Sequence, residues 1–362
     1  MRALQVEVPP LPDDFPVHGV ITKEPDAEML GLRVAFNIRN NGLHYGVVID
    51  GRGRVLWVRK APEGMRILRI REGRDKQSLF YATEQTGPAM GGDIVRFDLV
   101  TQEEVYTAAE QHHHDFVELP DGDLAWLAHD IFEESLQPPF TPPVLLSGDR
   151  ILRAPVGAGP GEYDTAFALR EDSGIAPWPV CSHMFDSVFL DEELDWTHSN
   201  SLGFDDEQNA FRMLIRWWDS IAQVGIDGEV DWFAGGMHSD FEVGEWFDHG
   251  HASELSGDRV WVFDNGNHGD TPRRSRLVRL QIDPSSGTAE VVQEVEDPYG
   301  RFHGYLGDVL ELPGGNLLAL WSGSGHLTEL TADGEVVWEY AMEEQIIGRI
   351  QLVDAIPGPT VP

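Results

Sequence analysis

The chain has 362 residues, 41% of them hydrophobic and 11 of them Trp, enough to bury the core of one large all-β domain and too apolar for a disordered polypeptide. Its 62 acidic residues against 26 basic ones give a formal net charge of −36, which repels nucleic-acid phosphates and anionic membranes and excludes both as expected partners. No apolar run reaches the ~18 residues of a membrane-spanning helix, a single Cys permits no intrachain disulfide, and MRALQVEVPPLPDDFPVHG shows no secretory leader, so a soluble protein of a reducing, cytoplasmic compartment is expected.

Residues 1–30 are Pro-rich and acidic and read as an extended lead-in, followed by a single domain over 31–355. Within that domain one phrase keeps returning: an apolar strand, an Asp-Gly or similar turn, then a strand ending in Trp, Tyr or Val. It is VVIDGRGRVLWV around Asp50, VRFDLVTQEEVY around Asp98, AQVGIDGEVDWF around Asp227, LQIDPSSGTAEVV around Asp283 and LTELTADGEVVWEY around Asp333. The wide gap in the middle holds one further, irregular unit, around LLSGDRILRAP near Gly148. A second phrase interleaves with the first as FVELPDGDLAWLA (116–128), SELSGDRVWVF (253–263) and DVLELPGGNLLALW (308–321), each a strand, a tight turn and a strand. Two hairpins per unit make four strands, and about six units of about 50 residues make a six-bladed β-propeller. The Pro-interrupted stretch 131–194, with PPFTPPV and GAGPGEY, reads as an irregular insertion over one face; no helix-forming segment follows GAGPGEY, so it is no phosphate loop. Its Cys181 reads as a small buried hydrophobe.

The stretch 195–216, DWTHSNSLGFDDEQNAFRMLIR, is the most suggestive. His198 and Asn200 stand at i and i+2, on one face if the backbone there is a strand. GFDDEQNA is rich in turn formers, and the returning strand brings Arg216 back to the level of His198. A His, an amide and a guanidinium on one surface make a receptor for a tetrahedral oxyanion, Arg being suited to hold it through several hydrogen bonds. Other histidines recur at comparable places, just ahead of a hairpin phrase: His112, His113 and His114 before FVELPDGD, His249 and His251 before SELSGDRV, and His303 before GDVLELPGG. Convergence of four blades on one channel mouth predicts a shared polar site. Taken singly, each residue also has a plainer reading: the histidines as exposed loop residues, Arg216 as a blade-edge partner of a carboxylate, and Asp264–Asn265 as a turn. HExxH and CxxC zinc spacings, a GxSxG elbow, a phosphate loop and a dinucleotide fingerprint are all absent, so no metal and no cofactor is expected.

HHDFVELPDGD, DWTHSNSLGFD, the Arg of MLIRWWDSIAQVGIDGEVDWFAGG, GGMHSDF, HGHASELSGDRVWVFDNG and SRLVRLQID, followed by LELPGGNLLALWSGSGHLTELTADGEVVWEY and GRIQLV, resemble the arylsulfate sulfotransferases, in the same order, over roughly residues 30 to 353. That resemblance implies a six-bladed propeller and an enzyme that passes a sulfuryl group from a phenolic sulfate ester to a phenol, without a nucleotide sulfate donor, through a sulfohistidine. It implies His251 as nucleophile, His198, Arg216 and Asn200 as holders of the sulfuryl oxygens, and His114 or His113 on the bridging oxygen or its proton. His249, His303 and Arg349 are further channel candidates. Gly250 stands where the family pattern carries Gln, Leu214 precedes Ile215 and Arg216 where the pattern reads Ser-x-Arg, and the family's secretory signal and disulfide have no counterpart. The alternatives on the same scaffold are another His-centred enzyme (a lyase or hydrolase of an anionic small molecule, possibly metal-assisted) and a non-catalytic binding propeller.

Overall fold

The computed structural model describes residues 11–356 apart from 41, 87–90, 136–142, 179–180, 182–192, 243–245, 257–258, 270 and 343. The Asp-Gly turns do what their backbone chemistry allows: Gly228 and Gly334 take φ of 87° and 82°, a region that costs an L side chain strain, and so reverse the chain between adjacent strands. Hairpin follows hairpin, and the strands assemble into six antiparallel sheets of four or five strands. The innermost strands are Ile347–Leu352, Met65–Glu72, His112–Glu118, Ser199–Asp205, His251–Ser256 and Asp308–Glu311, and each contacts the innermost strand of the next blade around a closed ring. This is the six-bladed β-propeller expected from the repeats.

Two strands from opposite ends of the chain close the ring. Ile347–Leu352 supplies the inner strand of the first blade, pairing antiparallel with Arg33–Asn40. His18–Lys23, within the lead-in expected over 1–30, forms the outer edge of the last blade against Val336–Met342. The stretch expected as an irregular insertion, 131–194, is largely strand in its first half. The third blade's Asp123–Glu134 and Val144–Pro155 pair along their full length, and Asp164–Ala168 follows. The apolar pairs Leu145–Leu146 and Ile151–Leu152 supply the buried positions that hold this long strand in the sheet despite the neighbouring prolines.

The apolar residues form six clusters, each shared by two neighbouring blades. Trp126, Trp196, Trp218, Trp261, Trp321 and Trp338 are among the largest fully buried side chains, and each fills one of these seams. Core burial is thus distributed between blade faces, leaving the axis free for polar groups. On the outer strand Thr288–Glu296, exposure alternates residue by residue, with Glu290, Glu294 and Glu296 guarding the edge. No helix among the described residues is long and apolar enough to cross a membrane.

Five of the six inner strands carry a bulge at the level of the axis. Leu68, the 113–115 segment, Asn200, Ala252 and the 348–349 pair each exceed the count of the partner strand. A bulge inserts residues without a ladder partner and turns their side chains out of the pleat. Of these positions, Asn200, Arg349 and the 113–115 segment carry polar groups of the channel, whereas Leu68 packs into an apolar seam.

Candidate active site

The site lies where the inner strands begin. His114, His198 and His249 all have φ between 53° and 56°, an uncommon left-handed conformation for non-glycine residues. The pleated-strand relation expected for His198 and Asn200 therefore does not hold: His198 precedes the strand in a left-handed turn and Asn200 occupies the bulge. The hairpin itself forms as expected, Ser199 opposite Ile215, and the Arg216 N–H donates to the His198 carbonyl at 3.3 Å.

His251 is almost completely buried at the start of its strand. Its Nδ1 lies 2.6 Å from Asn265 Oδ1. The Asn265 amide cannot turn round, because its Nδ2 donates to the carbonyls of His303 and Leu306 at 2.5 and 2.9 Å. Oδ1 therefore faces the imidazole, Nδ1 carries the proton, and Nε2 holds the lone pair. Burial and the positive charge of Arg216, with Arg349 and His198 adding to it, push the His251 pKa well below its ordinary value, overriding the Asn265 bond; the ring is neutral. Asn265, expected only as part of a turn, is the residue that fixes this tautomer. FDNG, one of the segments carrying the resemblance, was the signal for it.

Arg216 sits in the short turn after its strand, with its guanidinium 4.3 Å over the Trp217 ring and one Nη2 donating to the Gly304 carbonyl at 3.1 Å. It pairs with no carboxylate among the described residues, and its buried Nε has no partner. Burial lowers its pKa to about 10, against the raising influence of Asp195 and Asp219, so it remains charged at neutral pH. The plainer reading of Arg216 as a carboxylate-paired edge residue is not what the chain builds. A desolvated, uncompensated cation of this kind is costly until an anion arrives.

His114 and His113 extend the site into the third blade. Their Nδ1 atoms are 2.9 Å apart, and His113 Nε2 lies 3.0 Å from Asp149 Oδ1. Burial would raise the Asp149 pKa, but hydrogen bonds from His113, Thr197 and the Ser199 N–H hold it far below the carboxylate range. His114 is driven well below its ordinary pKa by burial and by the charge of His198, His113, His251 and Arg349. Its ring is edge-on to His198 with centroids 5.0 Å apart, and His198 in turn leans on Trp217 at 5.3 Å while its Nδ1 is held by Asp195. Asn200 donates to the Gly250 carbonyl at 2.9 Å and leaves its own buried Oδ1 without a partner.

Two candidates stand apart from this group. The His303 ring pairs with Asp297 at 3.2 Å and lies against Trp321, so His303 serves the site through its backbone carbonyl. Arg349 belongs to a charged layer within the channel: Arg69, Arg71 and Arg349 lie 3.4, 3.0 and 3.6 Å from Asp115, and Arg69 reaches Asp308 at 3.1 Å. Burial would raise Asp115, but Arg71, Arg69 and Arg349 bring its pKa down to about 2. Arg349 Nη2 donates to the Asn200 carbonyl and so ties this layer to the histidines above it. A cavity of ≈ 300 Å³ lined by Arg69, Arg71, Glu254 and Arg349 opens near the other ends of the inner strands, away from His251.

Cys181 corrects the expectation of a buried hydrophobe. It is partly exposed, and its Sγ lies 3.2 Å from His249 Nε2 and 3.3 Å from His268 Nε2. Neither contact leaves a local spacing, because each joins residues of different loops. The Gly250 departure has a packing reason: a Cβ there would stand 2.7 Å from Val262 Cγ1 and 2.9 Å from Phe247 Cδ2.

The sequence model described as Arylsulfotransferase (ASST) matches residues 20–349. No curated protein gives a significant match. Among solved structures, a protein of unknown function from Bacteroides caccae is 12% identical, covering 89% of this chain and 98% of its own, with a TM-score of 0.53. A putative 6-phosphogluconolactonase from Bacteroides uniformis is also 12% identical (89% and 99% covered, TM-score 0.51), and the periplasmic gluconolactonase PpgL of Pseudomonas aeruginosa is 13% identical (90% and 99%, TM-score 0.50). At such identities these likenesses speak to the fold alone.

Proposed function

This chain belongs to the arylsulfotransferase family, and from that premise we propose that it transfers a sulfuryl group from an aryl sulfate ester to a phenol through a sulfohistidine at His251. The observation that carries the reading is the fixed tautomer of His251, a neutral imidazole whose Nε2 lone pair is presented beside a buried, unpaired guanidinium. A nucleophile for an anionic ester needs both features: a lone pair unprotonated at neutral pH, and a cation that offsets the charge of the incoming sulfate.

The steps balance. Nε2 of His251 attacks sulfur, an N–S bond forms, the S–O(aryl) bond breaks, and the aryl oxygen leaves with the electron pair. In this reading Arg216 and the ring of His198 hold the sulfuryl oxygens. The proton for the leaving oxygen comes from the Asp149–His113–His114 chain. With one extra proton held by the pair, an Nδ1–H bridges His113 and His114, and His114 Nε2–H donates to the phenoxide. As that proton departs, the His113 proton moves to His114 Nδ1, and His114 Nε2 becomes the base that takes the proton of the incoming phenol. That phenol oxygen then attacks sulfur, the N–S bond breaks, and His251 is regenerated. The buried Asp149, 3.0 Å from His113 Nε2, orients that ring for the relay.

The test is incubation with 4-nitrophenyl sulfate, with and without phenol. Phenol-dependent nitrophenolate release is expected, together with a mass gain of one SO3 on a peptide containing His251, both lost in His251→Ala. Full turnover by that variant would end the nucleophile assignment.

A further inference from the structure

Cys181, His249 and His268 come from three separate loops: the crossover between blades three and four, the crossover between blades four and five, and a loop inside blade five. Their ligand atoms converge, with Sγ 3.2 and 3.3 Å from the two Nε2 atoms and those two 3.0 Å from each other. Three atoms this close are all within reach of one ion at the about 2.0–2.3 Å of zinc–nitrogen and zinc–sulfur bonds. We propose that these residues bind one zinc-type divalent ion, which clips the irregular crossover onto the mouth of the channel.

The donor set selects the metal. One thiolate and two imidazoles suit zinc or cobalt and are poor ligands for magnesium or calcium. Asp248 adds an independent observation. Its Oδ2 accepts from the His268 N–H, while its buried Oδ1 has no hydrogen-bond partner among the described residues and lies 4.0 Å from His268 Nε2, placed to take a hydrogen bond from a water in the fourth coordination position. Of the two other such clusters among the described residues, that of His113, His129 and Asp149 has a carboxylate oxygen already engaged by Thr197 and the Ser199 N–H, and that of Asp219, Asp248 and His249 shares His249 with the proposed site. His251 is not among the residues whose ligand atoms converge here, so the ion acts as a structural clip beside the site and the inference stands whether or not sulfuryl transfer is the reaction.

The test uses the full chain, purified without a histidine tag, incubated with Zn2+ at micromolar concentration, dialysed and assayed for metal in the absence of any sulfate ester. One zinc per chain is expected, and Co2+ in its place should give a thiolate-to-cobalt absorption. Cys181→Ser should abolish that band and lower retained zinc at least tenfold; His268→Ala, at a half-exposed position that tolerates truncation, should lower zinc equally; His129→Ala should keep it. The idea is overturned if the wild-type chain retains no zinc and shows no thiolate–cobalt band, or if Cys181→Ser and His268→Ala hold zinc as the wild type does. Should Cys181→Ser fail to fold, the wild-type cobalt spectrum and His268→Ala decide.

Discussion

Replacing Asn265 by Ala isolates the tautomer from every other feature of the site. The side chain accepts from His251 and donates to two carbonyls, so the variant loses three hydrogen bonds at distances of 2.6, 2.5 and 2.9 Å. The His303 carbonyl keeps a second donor in Ser275 Oγ, whereas the Leu306 carbonyl has no other donor among the described residues. Leaving buried groups unsatisfied costs about 1–3 kcal/mol each, so a stability loss of about 2–5 kcal/mol is expected. The kinetic effect is separate. Without the pin, the imidazole can move its proton to Nε2, and a bias of about 1.4–2.8 kcal/mol removed from the reactive tautomer is a loss of about tenfold to a hundredfold in rate. Rapid-quench measurement of the first turnover with 4-nitrophenyl sulfate, well below the melting temperature, reads that step directly. A first-turnover rate equal to the wild type in a folded Asn265→Ala protein would refute the reasoning, whereas loss with Asn267→Ala, whose amide bonds only Gly304, would point to general loosening of the loop.

Three further outcomes follow from the geometry. Arg216→Lys should lower kcat/KM about tenfold to a thousandfold, since an ammonium cannot reproduce the fork or its stacking on Trp217, and unchanged kcat/KM would remove Arg216 from anion recognition. Asp115 has a folded pKa of about 2 against an ordinary 3.8, a stabilisation of about 2 kcal/mol that is present above the unfolded value and disappears as pH falls from about 4 through 2. Urea melts of Asp115→Asn should therefore lack that acid slope and show a neutral-pH loss of about 3–5 kcal/mol, because Arg69, Arg71 and Arg349 lose their shared counter-charge; wild-type stability at pH 7 would contradict this. Gly250→Ala should cost about 1–3 kcal/mol by forcing Val262 and Phe247 aside, and an unchanged melting temperature would show that this seam has slack.

Much of the architecture could be read from local chemistry. Asp-Gly turns and apolar strands announce hairpins, and hairpins at a regular spacing announce blades. The closeness of His198 and Arg216 followed from one hairpin, and His114, His198 and His251 gather at one channel mouth because each lies at or near the start of an inner strand. What escaped was set by contacts with no sequence period. Cys181 meets His249 and His268 across 68 and 87 residues, and Asp149 supports His113 from the third strand of the same blade. Asn265 reads as an ordinary turn former until the carbonyls of His303 and Leu306 show which way its amide faces. The bulges also leave no trace in hydrophobic alternation, so the strand-face argument for His198 and Asn200 reached the right neighbourhood by a geometry the chain does not use.

The way the ring is fastened has a temporal meaning. The strand Ile347–Leu352 belongs to the blade whose other strands, Arg33–Lys60 in span, leave the ribosome some 300 residues earlier, and His18–Lys23 must wait for Val336–Met342. A nascent chain therefore holds an unpartnered inner edge for most of its synthesis, at least 15 s at the usual ~5–20 residues per second. Arg349 arrives on that last strand, so the charged layer under the histidines is completed only when translation has passed it. Any product truncated before this point lacks both the ring closure and a member of the charged channel layer.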